Sequence, residues 1–160
     1  MRPRPTVYIE TTIPSFYFEP REDSASAYMR QVTRRWWDER RGSFSLVTSG
    51  FALLELEAAP SFIADGALAL MREVPVLPVP DGFEGVVAAY IEHHVMPGDE
   101  RGDAAHLAVS ALFGCDYLLT WNCRHLANAQ KARHIEAVSR LLGLAAPLIV
   151  TPEGLMEDES

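Results

Sequence analysis

The sequence has few cysteines and no long apolar run, and each scarcity excludes a class of protein. Cys115 and Cys123 are too few for the disulfide framework of a small secreted domain. The basic N-terminus passes directly into a short β-like run, without the apolar segment and cleavage site of a secretory signal. No apolar run approaches the roughly 20 residues that a membrane-spanning helix needs. These features predict a cytoplasmic protein with no membrane segment.

Basic residues are also scarce, since 14 Lys and Arg stand against 22 Asp and Glu and give a formal net charge of -8. This balance argues against a protein that coats nucleic acid through a broad basic face. It is compatible with an enzyme that gathers carboxylates around divalent cations, because the cations reverse the local charge where a phosphate arrives. A local basic track and an ordinary solvated surface are both open for Arg34, Arg35, Arg40, Arg41, Arg124, Lys131 and Arg133.

The length and composition predict one domain. A chain of 160 residues that is 48% apolar can bury a substantial core. No linker rich in Pro, Gly and Ser interrupts it, and no repeat is visible. We expect residues 1–152 to form the domain and residues 153–160 to form an acidic C-terminal tail, in which 157–160 face solvent.

Apolar periodicity predicts strands that alternate with helices. The predicted strands are 6–9, 44–48, 116–120 and 148–150. The first three predicted helices are 24–41, a short helix that follows a Ser49 cap and runs through 57, and one from 60 or 61 to about 73. The next begins at a capping box at 81–84 and ends at Pro97-Gly98. The last two are one from about 100 to 113 and 131–142. The predicted core-facing stripes are Ala25, Met29, Val32 and Trp36; Phe83, Val86, Val87, Tyr90 and Ile91; and Ile135, Val138, Leu141 and Leu142.

This order predicts an α/β fold, a three-layer α/β/α sandwich around a central parallel sheet. In such sheets ligands bind beyond the carboxyl ends of the strands. Glu10 directly follows the first strand, and Asn122 comes two residues after Thr120. Asp103 opens the helix that precedes the third strand, and Glu55 lies in the helix after the second.

Carboxylates at that edge suggest a metal site, because a buried carboxylate needs a partner or a cation. Each acid also has a local explanation. Asp103 complements the dipole of its helix, Glu55 fits an amphipathic helix, and Glu10 fits a turn. Their occurrence together at one predicted edge favours the metal site.

Four segments, VYIETTIPS, SGFALLELE, RGDAAHLAVSA and DYLLTWNCRHLAN, occur in this order between about Thr6 and Pro152. In that order and spacing they resemble the successive motifs of PIN-domain proteins of the bacterial VapC-like group. The resemblance implies a parallel sheet of four or five strands and an endoribonuclease that depends on Mg²⁺ or Mn²⁺. It also implies a homodimer, and a toxin role in which a small antitoxin protein holds the nuclease inactive.

The same resemblance assigns the four acidic positions of the family to Glu10, Glu55, Asp103 and Asn122. Two of them depart from the pattern. Glu10 stands where Asp is usual and is one methylene longer, and Asn122 stands where Asp is common and adds no charge. The alternative is therefore a catalytically weak or inactive PIN-fold module that binds RNA or protein.

Mg²⁺ uses one or two carboxylates directly and keeps several waters. We expect Glu10 and Asp103 to contact the metal, and Glu55 to hold a second ion or a metal-bound water as general base or outer-shell group. The candidates for substrate binding are Thr11, Thr12, Ser15, Thr120 and Arg124, whose alternative is plain turn chemistry.

Other side chains point to different chemistry more weakly. Cys115, Cys123, His125 and His106 supply zinc-type atoms without the regular spacing of a zinc site. His106 is predicted to be a hydrogen-bonded core or rim histidine. Trp36 is predicted to be core, whereas Trp37 and Trp121 are also candidates for stacking on bases. A small-molecule phosphatase would need a nucleophilic Asp after the first strand, where Glu10 stands.

Overall fold

The computed structural model describes residues 3–96 and 101–157, within which strands and helices alternate. The strands are β1 (Thr6–Ile9), β2 (Ser45–Ser49), β3 (Val76–Leu77), β4 (Tyr117–Leu119) and β5 (Leu148–Val150). The helices are α1 (Thr12–Tyr17), α2 (Ser24–Glu39), α3 (Gly50–Glu57), α4 (Ser61–Leu70), α5 (Phe83–Glu92), α6 (Arg101–Leu112) and α7 (Ala129–Leu141). Short 3₁₀ turns occupy Arg41–Ser43, Met71–Glu73 and Pro152–Leu155.

The five strands form one parallel sheet in the order β3-β2-β1-β4-β5. Tyr8 in the middle of β1 pairs with Val47 of β2 and with Leu118 of β4. The predicted α/β/α sandwich with a parallel sheet is therefore confirmed. The sequence pattern did not reveal β3, because two residues are too few to show a period.

Successive residues of β1 face opposite layers of helices, as a strand requires. Tyr8 packs in a cluster with residues of α5, α6 and α7, such as Val87, Leu107 and Val138. Val7 and Ile9 pack in a second cluster with residues of α1, α2 and α4, such as Ile13, Trp36 and Ala67. The sheet is thus covered on both faces, and β1 lies at its centre.

Helix α1 was not predicted, because the residues after the first strand were interpreted as a turn. Proline is tolerated in the first turn of a helix, where its missing N–H would have no intrahelical partner. Pro14 is the third residue of α1 and is buried. The segment after β1 is therefore a short helix that packs against α2 and α4.

The predicted capping box at the start of α5 is wrong. The N-cap position is taken by Gly82, which has no side chain and a φ of +83°, and not by Asp81. A glycine reaches this left-handed conformation without strain, which suits Gly82 to the turn that leads into α5. The predicted stripe is confirmed for Phe83, Val86, Val87 and Tyr90, which are buried. Pro97 and Gly98 lie outside the described residues.

The last part of the predicted stripe on α7 is also wrong. Ile135 and Val138 are buried, but Leu141 is 79% exposed and Leu142 is 36% exposed. The polar Ser139 takes the buried position in that turn, because the hydroxyl of Tyr90 lies 2.8 Å from its Oγ. Gly143, with a φ of +74°, follows the helix as expected.

Two smaller differences concern the ends of the predicted elements. Ala25 is exposed, and in α2 Thr33, Trp36 and Trp37 take the buried positions. Leu155, in the segment predicted as the C-terminal tail, is buried in the 3₁₀ turn that packs on α2. Across residues 3–96 and 101–157, no helix has the length and apolar character needed to cross a membrane.

Candidate active site

The carboxyl ends of β1 and β4 bring the first site residues together. Glu10 follows β1 and Thr120 follows β4, and the two strands are hydrogen-bonded neighbours. The backbone N–H of Glu10 donates to the carbonyl of Leu119 at 3.2 Å, and the Thr120 hydroxyl donates to the Glu10 carboxylate. The predicted convergence at this edge of the sheet therefore occurs for Glu10 and Thr120.

The Glu10 carboxylate is almost completely buried, with 3% of the residue exposed. It accepts hydrogen bonds from the backbone N–H of Thr12, from the Thr12 hydroxyl at 3.1 Å and from Thr120. Within the described ranges no Lys or Arg pairs with it. Burial raises the pKa of Glu10, against the lowering effect of the His106 charge and of these hydrogen bonds.

Glu55 reaches the same region from α3. Ser49 caps this helix as predicted, with its Oγ accepting from the N–H of Ala52 at 3.4 Å. Glu55 Oε1 bonds to Nε2 of His106 and accepts from the Thr11 hydroxyl at 3.2 Å. Partial burial favours the neutral acid, but the hydrogen bond and charge of His106 outweigh it and lower the pKa of Glu55. Glu57, two residues on, is exposed.

Asp103 lies in the first turn of α6, where the sequence predicted it. Its two carboxylate oxygens accept from Nδ2 of Asn122 at 3.0 and 3.1 Å. Asn122 is itself held by the backbone, because its Oδ1 accepts from the N–H of His125 at 3.1 Å. Its own N–H donates to Thr120 Oγ1 at 3.0 Å. The third and fourth predicted positions are thus in direct contact.

His106 lies among the three carboxylates and is 1% exposed. It follows Asp103 by three residues, a spacing that puts both side chains on one face of α6. Burial alone would lower the pKa of His106, but Glu55, Glu10 and Asp103 together raise it. The prediction of a hydrogen-bonded buried histidine is confirmed. Its position among the acids connects residues that are far apart in the chain.

Two residues of this region were missed as site residues. The hydroxyl of Tyr8 lies 2.7 Å from Nδ1 of His106 and 2.6 Å from Oγ of Ser49. Tyr8 stands inside an apolar strand and Ser49 was interpreted only as a helix cap, so neither pattern indicated a polar contact. The one available signal was the phenol itself, since a buried tyrosine hydroxyl usually has a hydrogen-bond partner.

The substrate-binding candidates divide into two groups. Thr11, Thr12 and Thr120 bond directly to Glu55 or Glu10. Ser15 takes part only in backbone hydrogen bonds of α1, and Arg124 is exposed with its carbonyl accepting from Asn128. The threonines therefore belong to the acidic site, whereas within the described residues Ser15 and Arg124 make no hydrogen bond to it.

The zinc and base-stacking alternatives gain no support. Cys123 is exposed, whereas burial raises the pKa of the Cys115 thiol to about 11. In the part of the chain that the structure describes, no three His, Cys, Asp or Glu side chains are grouped to hold a metal ion. Trp36, Trp37 and Trp121 are all buried, so none presents a ring face to solvent.

The donor types at the site nevertheless fit a hard divalent cation. Glu10, Asp103 and Glu55 offer carboxylate oxygens, and Mg²⁺ takes only one or two carboxylates directly, so a group of three is not required. The Glu55 oxygen engaged by His106 and the Asp103 oxygens engaged by Asn122 would exchange a hydrogen bond for the ion. Glu10, buried without a Lys or Arg partner in the described ranges, is the carboxylate that a cation would stabilise most.

These features define a class of protein: an α/β/α sandwich whose parallel sheet carries buried and half-buried carboxylates at its carboxyl edge. Comparison with protein-family models, with curated proteins and with solved structures found no match for this chain.

Proposed function

We propose that this chain is a PIN-type, VapC-like endoribonuclease that hydrolyses RNA phosphodiesters with Mg²⁺ or Mn²⁺. The observation that carries the proposal is the set of acids around His106. Glu55 from α3 bonds directly to this buried imidazole. The charges of Glu10, from the end of β1, and of Asp103, from α6, together with that bond raise the pKa of His106. Three carboxylates and one histidine leave an excess of negative charge, which divalent cations would neutralise.

Glu10 and Asp103 are the proposed direct ligands. Thr12 and Thr120 hold the Glu10 carboxylate through their hydroxyls, which fixes its direction before any ion arrives. Asn122 does the same for Asp103 through its amide. The bound cation would lower the pKa of water and stabilise charge on the scissile phosphate.

Glu55 is the proposed general base or outer-shell group. Its lowered pKa keeps it ionised near neutral pH, which suits an outer-shell group that orients a water. As a general base it would take the proton of a water whose own pKa the cation has lowered. The water oxygen bonds to phosphorus and the bond to the 3′ oxygen breaks. The 3′ oxygen takes up a proton, and the products carry a 5′-phosphate and a 3′-hydroxyl.

Cleavage of end-labelled, single-stranded RNA tests the proposal. We expect cleavage with Mg²⁺ or Mn²⁺, none with EDTA, and new 5′-phosphate ends. Asp103→Asn and Glu10→Gln should each reduce kcat/KM by about 100-fold or more, the scale of a lost catalytic group. Asp65→Asn, an exposed acid on α4, is the control. Cleavage that persists in EDTA, or that Asp103→Asn and Asp65→Asn retain equally, would contradict a metal-dependent active site.

A catalytically weak or inactive binding module is the second candidate, and one observation favours it. The neutral Asn122 donates to both oxygens of Asp103, which occupies a proposed metal ligand without adding charge. In that case wild-type protein would bind RNA without cutting it. Asn122→Asp, which supplies the acid of the resembled family, would then increase metal-dependent cleavage.

The proposed partners follow from the same resemblance. We propose a cytoplasmic homodimer, and a toxin whose small antitoxin is encoded in a neighbouring reading frame. Exposed apolar side chains such as Leu54 and Phe62 support association, because burial of such surface drives it. Light scattering of the purified chain tests the dimer. Co-expression with the neighbouring frame tests the antitoxin, which should relieve growth arrest and co-purify with the chain.

A further inference from the structure

A continuous chain of hydrogen bonds crosses the core from β2 to α3. The Oγ of Ser49 lies 2.6 Å from the Tyr8 hydroxyl, which lies 2.7 Å from Nδ1 of His106. Nε2 of His106 then bonds to Oε1 of Glu55. Ser49, Tyr8 and His106 are buried, whereas the Glu55 side chain is 46% exposed. A buried series of polar groups therefore ends on a half-exposed carboxylate.

The Glu55 carboxylate determines which nitrogen of His106 carries a proton. An ionised carboxylate only accepts hydrogen bonds, so Nε2 must carry the proton that it donates to Glu55. If the imidazole is neutral, Nδ1 accepts from Tyr8, and Ser49 donates to Tyr8. If the imidazole is charged, Nδ1 donates to Tyr8, and Tyr8 donates to Ser49. The donation to Glu55 is the same in both cases.

We infer that Ser49, Tyr8 and His106 act as positioning residues that hold the Glu55 carboxylate in place at the candidate active site. This inference rests on the proposed nuclease function, in which Glu55 receives a proton or orients a water. Among the residues that the structure describes, the Thr11 hydroxyl at 3.2 Å is the only other hydrogen-bond donor to Glu55. Without His106 the half-exposed carboxylate would be free to change rotamer. The alternative is that these bonds only satisfy buried polar groups.

The core contains a matched pair that separates the two explanations. Tyr90 is also fully buried, and its hydroxyl lies 2.8 Å from Oγ of the buried Ser139. Tyr8→Phe and Tyr90→Phe each remove one phenol hydroxyl from a buried Tyr-Ser contact. Only Tyr8→Phe also removes a partner of His106. A purely structural role predicts similar effects, whereas positioning predicts effects specific to Tyr8→Phe.

The first measurement is independent of activity. Long-range ¹H–¹⁵N spectra of the full chain report the protonation and hydrogen bonding of both imidazole nitrogens, and the signals of His106 are identified by their loss in His106→Gln. We expect Tyr8→Phe to shift Nδ1 and to speed solvent exchange of the Nε2 proton, while Tyr90→Phe leaves both unchanged. His106 signals that are identical in wild type and Tyr8→Phe would overturn the inference.

The second measurement is the steady-state cleavage of RNA. We expect Tyr8→Phe to lower kcat about 10-fold with KM unchanged, the scale seen when a partner behind an active group is removed. Tyr90→Phe should retain wild-type kcat. Equal losses in both variants would overturn the inference.

Two substitutions at His106 add an internal rescue. The amide nitrogen of Gln stands where Nε2 stands and is able to donate to Glu55, whereas the shorter Asn reaches only toward Tyr8. We expect His106→Gln to retain at least about 10-fold more kcat than His106→Asn, on the same scale. Equal kcat in these two variants, with both folded by circular dichroism, would contradict positioning.

Failure of the nuclease proposal is distinguishable from failure of this inference. Wild-type protein that cleaves no RNA, but whose His106 signals respond to Tyr8→Phe and not to Tyr90→Phe, would refute the proposed activity and leave the positioning of Glu55 supported. Active wild type with no difference between Tyr8→Phe and Tyr90→Phe in spectra or kcat would refute the positioning and leave the nuclease supported.

Discussion

The side-chain amide of Asn122 lies 3.0 and 3.1 Å from the two carboxylate oxygens of Asp103. The contact joins the loop after β4 to the first turn of α6 across 19 residues of sequence. An amide in this position neutralises no charge, but it satisfies both oxygens in the absence of a cation. Asn122 therefore stabilises the metal-free arrangement of Asp103.

We expect Asn122→Asp to lower the unfolding free energy without metal and to increase the stabilisation that metal provides. Two facing carboxylates repel, and the lost hydrogen bond costs about 1–3 kcal/mol of unfolding free energy in EDTA. A cation that binds both should raise the unfolding free energy more than it does in wild type. Urea denaturation with EDTA and with Mn²⁺ measures both quantities.

Asn128→Asp is the control for this substitution. Asn128 caps α7 by accepting from the N–H of Gln130 at 2.9 Å, a role that Asp fills equally well. If Mn²⁺ stabilises both variants by the same amount, the Asp103 site is not where the added carboxylate acts.

The raised pKa of Glu10 leads us to expect that the unfolding free energy falls with rising pH when no metal is present. Burial raises the pKa of Glu10 above its ordinary value of 4.5, so the folded protein holds this proton more tightly than the unfolded chain. The contribution of Glu10 is therefore most favourable below pH 4.5 and is lost as pH rises from there through the folded value. Mn²⁺ should reverse the loss, because it favours the ionised form.

Chemical denaturation in EDTA across this pH range provides the measurement. Glu10→Gln should flatten the fall in unfolding free energy, whereas Glu57→Gln, an exposed acid on α3, should leave it unchanged. If the unfolding free energy falls equally steeply with pH in wild type and in Glu10→Gln, a group other than Glu10 is responsible for the fall.

The layers of the fold were predictable because they depend on periodicity over many residues. Glu10 and Asn122 follow β1 and β4, which pair in the sheet, and Asp103 contacts Asn122, as the meeting of parallel strand ends led us to expect. The contacts that organise the site were not predictable. Tyr8 has no apolar or polar pattern that distinguishes it from its neighbours in β1, and its bond to His106 spans 98 residues.

The errors also have local physical causes. Leu141 lies on the apolar face that the periodicity of α7 predicts, but it is exposed. Periodicity identifies the face of a helix and does not show where along its length the helix leaves the core. The acidic pair around Gly82 matched a capping box by composition, yet the N-cap position is taken by Gly82 in the left-handed conformation. In both cases the sequence pattern allowed two structures equally, and a local feature outside the pattern decided between them.

We expect substitution by alanine at two helical glycines to change the unfolding free energy in opposite directions. A Cβ on Gly102 in α6 would lie 3.6 Å from Oε2 of Glu55, an ordinary contact. Gly102→Ala should therefore raise the unfolding free energy by about 0.4–1 kcal/mol through the lower entropy of the unfolded chain. A Cβ on Gly66 in α4 would lie 2.7 Å from the ring of Phe18. Gly66→Ala should lower the unfolding free energy by about 1–3 kcal/mol.

Urea denaturation of the two variants measures the difference. Gly66→Ala combined with Phe18→Leu, which shortens the opposing side chain, should destabilise less than the sum of the single changes, because the two side chains are in contact. Equal effects of the two alanines would show that space at these positions does not decide the result.

The raised pKa of His106 leads us to expect a second pH range in which stability falls, and this range begins at a higher pH than that of Glu10. The three carboxylates raise the pKa of His106 above its ordinary value of 6.5 despite burial, which alone would lower it. Since the folded value exceeds the unfolded one, the stabilising contribution of the charged imidazole is complete below pH 6.5. It is lost as pH rises through the folded value.

Unfolding free energies measured in EDTA above pH 6.5 test this expectation. His106→Gln should remove the fall in that window, while His134→Gln, an exposed histidine on α7, should retain it. Because Glu10 and His106 interact, Glu10→Gln should also lower the pKa of His106 and move the window toward pH 6.5. A fall that is the same in wild type and His106→Gln would mean that the charge of His106 does not stabilise the acidic site.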